Sequence, residues 1–119
     1  MLEVRKPHRV LVAEDEYFIA RDLVRALRAL AIDVVGPVAE VPEALLLART
    51  EAVDAAILDI NLHGQEIYPV ADILRRRGVR LIFATGYGTA AIPRAYRAVP
   101  RWEKPFDPDR QARMIFAAA

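Results

Sequence analysis

The chain of 119 residues contains no cysteine, which excludes disulfide bonds and thiolate metal sites. No apolar run approaches the roughly 18 residues of a membrane-spanning helix, and the amino-terminal MLEVRKPHR lacks the apolar core of a signal peptide. Lysine is scarce, since only Lys6 and Lys104 accompany the arginines, and a net charge of +1 favours no particular partner. We therefore expect one cytoplasmic domain over residues 1–119, with a core at about 8–118 and no output domain, that binds neither nucleic acid nor membrane.

Short apolar runs without alternation, which are typical of strands buried in a parallel sheet, recur along the chain. We predict strands at His8–Ala13, Asp33–Val38, Ala55–Leu58, Val79–Ala84 and Val99–Glu103. Apolar residues at helical spacing follow each run. The stripes predict helices over Glu16–Leu30, Val41–Ala48, Ile67–Leu74, Ile92–Val99 and Pro108–Phe116, with a loop at Asn61–Gly64.

Five repeats of a strand followed by a helix indicate an α/β protein built from parallel βαβ units. Because the crossovers between parallel strands are right-handed, few topologies remain. The natural arrangement is a single-domain, doubly wound (βα)5 flavodoxin-like fold with a five-stranded sheet of order 2-1-3-4-5.

Polar residues stand where the apolar runs end, and these are the candidate site residues. Glu14 and Asp15 follow the first run, Asp59 the third, Thr85 the fourth and Lys104 the fifth. In the 2-1-3-4-5 order the first and third strands are neighbours, so three carboxylates converge and repel one another. Mg²⁺ or Mn²⁺ would relieve that repulsion, and an aspartate is a known covalent acceptor of phosphoryl groups.

Four motifs on successive strands, VAEDE, LDINL, FATG and EKPF, resemble the receiver domain of bacterial response regulators. The resemblance covers the chain from about Val10 to Phe116 and implies the CheY-like version of this fold. The longer stretch FATGY, together with VGPV and PVAD, resembles the subgroup of receivers nicknamed FATGUY.

The resemblance implies an acidic metal site around a phosphoacceptor. Asp59 would accept the phosphoryl group in a two-component phosphorelay and also bind the metal ion. Asp15 would bind the ion directly, and Glu14 would act through water. The backbone carbonyl of Asn61 would complete the protein ligands.

The same resemblance assigns the remaining groups around the phosphoryl group. Thr85 would hydrogen-bond it and Lys104 would pair with its charge. Gly86 would leave room for it, and Asn61 and Tyr87 would flank the path of attacking water. The family usually has a cis peptide bond after this lysine, so we predict one there.

One position departs from the family. Receivers commonly carry Tyr or Phe three residues before the lysine, a ring that changes orientation with activation, but Arg101 stands there. The hypothesis is that Trp102 or Tyr96 moves instead, so that Arg101, Trp102 and Tyr96 mark the switch and partner face.

The resemblance implies a signalling module phosphorylated by a histidine kinase or histidine phosphotransfer protein, with a downstream protein partner. It would be no enzyme beyond its own phosphorylation and dephosphorylation. One alternative is a degenerate receiver that docks partners without phosphorylation. Another is an aspartate-nucleophile phosphatase similar to the haloacid dehalogenases, which Asn61 disfavours because that family needs a second aspartate there.

The two histidines and the run of three arginines are assigned no chemistry. His8 and His63 lack the spacing of a metal site or a catalytic dyad, so we predict both on the surface or in loops. The run Arg75–Arg77, followed by Gly78, is typical of a solvated helix end.

Overall fold

The computed structural model describes residues 6–86 and 92–117. These ranges contain seven strands: β1 (Arg9–Ala13), β2 (Asp33–Val38), β3 (Ala55–Asp59), β4 (Asn61–Leu62), β5 (Gln65–Glu66), β6 (Arg80–Thr85) and β7 (Arg101–Glu103). Four α-helices accompany them: α1 (Tyr17–Ala29), α2 (Val41–Thr50), α3 (Tyr68–Arg76) and α4 (Pro108–Met114). None of the helices in the described ranges is long and apolar enough to cross a membrane.

The main sheet is parallel and has the order β2-β1-β3-β6-β7. Since β6 and β7 are the fourth and fifth strands of this sheet, the predicted 2-1-3-4-5 order and the doubly wound class are confirmed. All five strands therefore end at the same edge of the sheet. β3 lies between β1 and β6 and is buried along its whole length.

Two apolar clusters cover the two faces of the sheet. One packs α2 and α3 around Leu11, Leu58 and Phe83. The other packs α1 and α4 around Val12 and Ile57. Successive side chains of one strand thus pack into opposite clusters. Because both faces of the central strands are buried, their sequences are continuous apolar runs.

The segment predicted as a loop at Asn61–Gly64 contains a small hairpin. β4 pairs with β5 in antiparallel fashion, Asn61 opposite Glu66 and Leu62 opposite Gln65. His63 and Gly64 form the turn with φ values of 47° and 84°. Two-residue strands carry too few side chains for a periodic signal, so the sequence pattern missed them.

The helix predicted over Ile92–Val99 is wrong in the described residues, where only a 3₁₀ turn at Arg94–Tyr96 is present. Pro93 has an extended ψ of 146°, so no helical turn forms before Arg94. Pro100 disfavours the helical region for Val99. Too few residues remain between Pro93 and Pro100 for a stable α-helix, although the apolar residues of this segment are spaced as they would be in one.

Arginines at the amino-terminal edge of the sheet satisfy carbonyls at the ends of helices. Arg77 donates to the carbonyls of Ala48 and Glu51 at the end of α2, and Arg80 donates to Ile115 after α4. The last carbonyls of a helix lack partners within it, and a cation there also interacts favourably with the helix dipole. The predicted solvated end of α3 therefore has a structural role at Arg77.

Candidate functional site

The carboxyl ends of β1 and β3 bring three carboxylates together, as the sheet order predicts. Glu14 and Asp15 follow β1 directly, and Asp59 is the last residue of β3. One carboxylate oxygen from each lies within 4.8 Å of the others. Glu14 and Asp59 are buried, and Asp15 is partly exposed. The predicted acidic cluster is therefore present in the structure.

Lys104 joins two of these carboxylates. Its Nζ lies 2.7 Å from Glu14 Oε1 and 2.9 Å from Asp59 Oδ2, and the side chain is only 12% exposed. Its backbone N–H donates to the carbonyl of Thr85 at 2.9 Å, which ties the end of β7 to the end of β6. The peptide bond after Lys104 is cis, as the resemblance predicts.

Backbone amides hold the carboxylates in place. The Glu16 N–H donates to Glu14 Oε2 at 3.0 Å, and the Asn61 N–H donates to Asp59 Oδ1 at 3.2 Å. The His63 N–H donates to Asp15 Oδ2 at 3.0 Å. Each acid thus accepts a hydrogen bond from one backbone N–H that orients its carboxyl group.

Burial makes two of the acids hard to ionise. Desolvation raises the pKa of Glu14 to about 7, even though Lys104 and the Glu16 N–H oppose the shift, and the charge of Asp59 raises it further. Desolvation also raises the pKa of Asp59, against the lowering effect of the hydrogen bonds from Lys104 and Glu14. Because the folded pKa of Glu14 exceeds its usual 4.5, ionising this carboxyl destabilises the fold progressively as pH rises towards 7.

Asp15 and Lys104 stay charged. Desolvation alone would raise the pKa of Asp15, but the hydrogen bonds from the His63 N–H and from the neighbouring acids outweigh it and lower that pKa. Desolvation would lower the pKa of Lys104, but its bonds to Glu14 and Asp59 outweigh burial and raise it. The cluster therefore contains one cation, Lys104, and one anion, Asp15, that are charged at neutral pH, beside two carboxyls whose pKa is raised.

A cleft of about 610 Å³ opens over the cluster. Its wall includes the predicted residues Asp15, Asp59, Asn61, Thr85, Gly86 and Lys104. Thr85 is buried, and a Cβ added to Gly86 would meet no atom within 4 Å. The role of Gly86 in leaving room for a phosphoryl group stays a prediction. Tyr87 lies outside the described residues.

Other residues at the cleft were not predicted. Among the described residues, the cleft is also lined by Glu16, Ile60, Glu66, Tyr68 and Ile92. The hairpin and the start of α3 bring the acid and the tyrosine to this rim, and no sequence motif marks them. His63 is exposed in a turn, as predicted, but its ring Nε2 lies 4.0 Å from Asp15 Oδ2. The available signal for this proximity was the position of His63 in the sequence, four residues after Asp59.

The three residues of the predicted switch and partner face lie in different environments. Arg101 is exposed on β7. Trp102 packs in the cluster beneath α1 and α4, whereas Tyr96 packs in the cluster beneath α2 and α3. Tyr96 stacks on Tyr68 with ring centroids 5.2 Å apart, so it is one contact away from the cleft.

Comparison with known proteins decides the family. SdrG from Sphingomonas melonis Fr1 is 37% identical with a TM-score of 0.78, and the match covers 90% of this chain and 92% of SdrG. A CheY-like response regulator receiver domain protein from Methanospirillum hungatei JF-1 shares the fold at 22% identity, with a TM-score of 0.79 over 91% of this chain and 90% of that one. The chain belongs to the response-regulator receiver family. No family model matches the sequence.

Two further matches place this receiver among its relatives. A structure titled the BeF3-activated conformation of SdrG is 39% identical with a TM-score of 0.72, covering 88% of this chain and 90% of that one. The transcriptional regulatory protein PdtaR of Mycobacterium tuberculosis is 32% identical over 82 residues, or 68% of this chain. The receiver spans 40% of the length of PdtaR. Membership of the FATGUY subgroup stays a prediction.

Proposed function

We propose that this receiver accepts a phosphoryl group on Asp59 from a histidine kinase or a histidine phosphotransfer protein in the cytoplasm, and that phosphorylation changes its binding to a downstream protein. The observation that supports the proposal is the pairing of Lys104 with both Glu14 and Asp59 under an open cleft. An ammonium beside an acceptor carboxylate can neutralise the charge that arrives with a phosphoryl group.

The donor set fits a divalent cation such as Mg²⁺ or Mn²⁺. Three ionised carboxylates and one ammonium leave two uncompensated negative charges, and all available donors are oxygens, the ligands that Mg²⁺ prefers. The ligands we propose are Asp15, Asp59 and the carbonyl of Asn61, with Glu14 acting through water. The ion would neutralise charge on the transferred phosphoryl oxygens.

The residues of the chain would share the transfer as follows. An Asp59 carboxylate oxygen forms the new bond to phosphorus while the bond to the donor nitrogen or oxygen breaks, and the donor leaves with the electron pair. Lys104 then stays beside the acyl phosphate and Thr85 donates a hydrogen bond to it. Phosphoryl transfer depends chiefly on such positioning and charge neutralisation. The protein is therefore a signalling component that catalyses only its own modification.

Intact-mass measurement after incubation with a small acyl phosphate and Mg²⁺ tests this proposal. We expect the wild-type chain to gain one phosphoryl group and Asp59→Asn to gain none, because an amide is a far weaker nucleophile than a carboxylate. Asp72→Asn changes an exposed aspartate on α3 and serves as the matched control.

The result also separates the alternatives. Absence of the modification in wild type would favour a degenerate receiver that only docks partners. Rapid turnover of a small phosphate ester that depends on Asp59 would favour a phosphatase, for which the required second acid is replaced by Asn61.

We expect binding of Mg²⁺ to weaken as pH falls below about 7, by up to about tenfold per pH unit, because the proton held by Glu14 must leave when the cation binds. Isothermal titration calorimetry in two buffers of different ionisation enthalpy measures both the affinity and the released proton. Glu14→Gln is the control, since a residue that cannot titrate should flatten the pH dependence. An affinity that is equally pH-dependent in Glu14→Gln would contradict this assignment.

We propose that Tyr96 carries the signal away from the site in place of the missing aromatic at Arg101. A hydrogen bond to a charged group contributes about 1.5–3 kcal/mol. Changing the ratio of two conformations from about 1:99 to about 99:1 needs about 5.5 kcal/mol. Thr85 alone is therefore insufficient, and the Tyr68–Tyr96 stack offers a second responding contact beside the cleft.

Nuclear magnetic resonance of the beryllofluoride-bound protein compares the two candidate rings. We expect the Tyr96 ring resonances to shift more than the Trp102 indole, because Trp102 lies in the cluster on the other face of the sheet. A larger shift of the Trp102 indole than of the Tyr96 ring would indicate that Trp102 carries the signal instead.

A further inference from the structure

The edge of the main sheet is incomplete. β7 has three residues and pairs only with Phe83–Thr85, so the first half of β6 runs past its end. The last bond between these segments joins the Phe83 N–H to the carbonyl of Pro100 at 2.9 Å. Below this bond, no strand within residues 6–86 and 92–117 pairs with this edge of β6.

Leu81 is the residue whose backbone groups this shortfall leaves without a strand partner, and although it is only 7% exposed, it lines a groove at this edge. The Arg80 N–H donates to Asp54 on the β3 side, so in a parallel ladder the backbone groups of Leu81 point the other way, to the edge. If the register of β7 continued, the carbonyl of Leu81 would accept a hydrogen bond from the N–H of residue 100. That residue is proline and has no N–H. Among the described residues, no backbone group bonds to Leu81 on that side.

An apolar groove of about 560 Å³ lies along this edge. Its lining includes Leu81, Val99, Trp102, Met114 and Ile115. Met114 is 57% exposed, whereas its neighbours Ala112 and Ile115 are buried. The groove lies at the β6–β7 edge and shares none of its lining residues with the carboxylate cleft.

The charged side chains in the described lining of the groove are both arginines, and no acidic residue is among them. Arg75 and Arg80 line the groove and are held in place by donating to the carbonyls of Ala95 and Ile115. Arg101 is exposed on the neighbouring strand.

We propose that this groove binds an extended acidic segment of a partner protein, which adds backbone hydrogen bonds at Leu81. Alternate apolar side chains of the segment would enter the groove and its carboxylates would face the arginines. A second copy of this chain fits less well, because a shared two-fold edge would bring the arginines of both copies together. A nucleic acid fits less well because the groove floor is apolar and its one large aromatic, Trp102, is only 8% exposed.

The site is independent of the phosphorylation proposed above. A short synthetic peptide that alternates Leu and Glu, with blocked termini, is the probe. Its binding is followed by the Leu81 amide resonance and by the fluorescence of Trp102, the single tryptophan. We expect the peptide to shift the Leu81 amide, and peptides alternating Leu with Lys or Ser with Glu to bind at least about tenfold more weakly, since each lacks one of the two contributions.

Variants locate the contact. Arg101→Glu should weaken binding of the Leu-Glu peptide about fivefold to tenfold, because a repulsive charge replaces an attractive one. The matched control, Arg25→Glu, makes the same charge change at an exposed position on α1 and should leave binding unchanged. Met114→Glu, at an exposed position inside the groove, should also weaken it. Asp59→Asn should bind the peptide as wild type does, so the failure of one proposal is distinguishable from the failure of the other.

Four results would overturn the proposal. They are a Leu81 amide that does not move when the peptide binds, equal effects of Arg101→Glu and Arg25→Glu, displacement of the peptide by a single-stranded oligonucleotide, and a Leu81 shift that follows protein concentration without peptide. The third result would indicate a nucleic-acid site, and the fourth would indicate a second copy of the chain.

Discussion

Lys104→Met is expected to lower the free energy of unfolding at about pH 8 by about 3–5 kcal/mol, the usual cost of removing one partner from a buried ion pair. The ammonium is the partner of two buried carboxylates, at 2.7 Å from Glu14 and 2.9 Å from Asp59. Methionine fills a similar volume, so the decrease in the free energy of unfolding measures the effect of the missing charge rather than of a cavity. Urea denaturation at equilibrium measures it.

The effect of this substitution should depend on pH in a defined direction. Without the ammonium, the folded pKa values of Glu14 and Asp59 rise further above their unfolded values. A carboxyl of raised folded pKa destabilises the fold increasingly as pH rises from the unfolded to the folded value. We therefore expect a smaller loss at about pH 5, where the folded protein keeps the Glu14 carboxyl protonated.

Two variants control the experiment. Lys6→Met removes the other lysine of the chain, which is exposed, and should change the free energy of unfolding by less than about 0.5 kcal/mol. Glu14→Gln in the Lys104→Met background should recover part of the loss, because one buried charge disappears. A loss of equal size at both pH values, with no recovery, would show that Lys104 acts through packing.

Gly36→Ala is expected to lower the free energy of unfolding by about 2–4 kcal/mol, as the sum of a left-handed backbone conformation and a steric clash. Gly36 has φ of 98° and lies in an irregularity of the β1–β2 ladder, where Leu11 pairs with Val35 but Ala13 pairs with Val38. A Cβ at this position would lie 2.8 Å from the carbonyl oxygen of Val12, which is backbone and cannot move aside.

Gly78→Ala is the matched control for that measurement. Gly78 has φ of 75°, but its added Cβ would meet no atom within 4 Å. The conformational cost and the reduced entropy of the unfolded chain are similar in the two variants, so their difference isolates the clash. We expect Gly36→Ala to be the more destabilising by about 1–3 kcal/mol. Equal losses would show that β2, an edge strand, shifts to accommodate the methyl group.

The positions of the carboxylates followed from the sequence because a parallel sheet imposes them. Buried strands are readable as apolar runs, and four of the five runs of this chain stop at a polar residue. Once the strand order is known, the ends of β1 and β3 are neighbours, so Glu14, Asp15 and Asp59 must meet. The pairing of Lys104 with two of them depends only on where β7 ends.

The helix at Ile92–Val99 failed for a local reason. Its apolar spacing matched a helix, but Pro93 and Pro100 limit the backbone of this segment, and periodicity carries no information about such limits. The hairpin around His63 was too short to produce a pattern, and with it the contact between His63 and Asp15 was missed.

The amino-acid sequence was enough to predict the five strands of the main sheet, the edge at which polar residues gather and the identity of the charged groups there, because these depend on apolar runs and on motif positions along the chain. The folded structure was needed to show how far burial shifts the pKa of Glu14, which aromatic ring lies beside the cleft, and where the edge of β6 lacks a paired strand. Those properties depend on distances between segments far apart in the chain, and packing sets such distances.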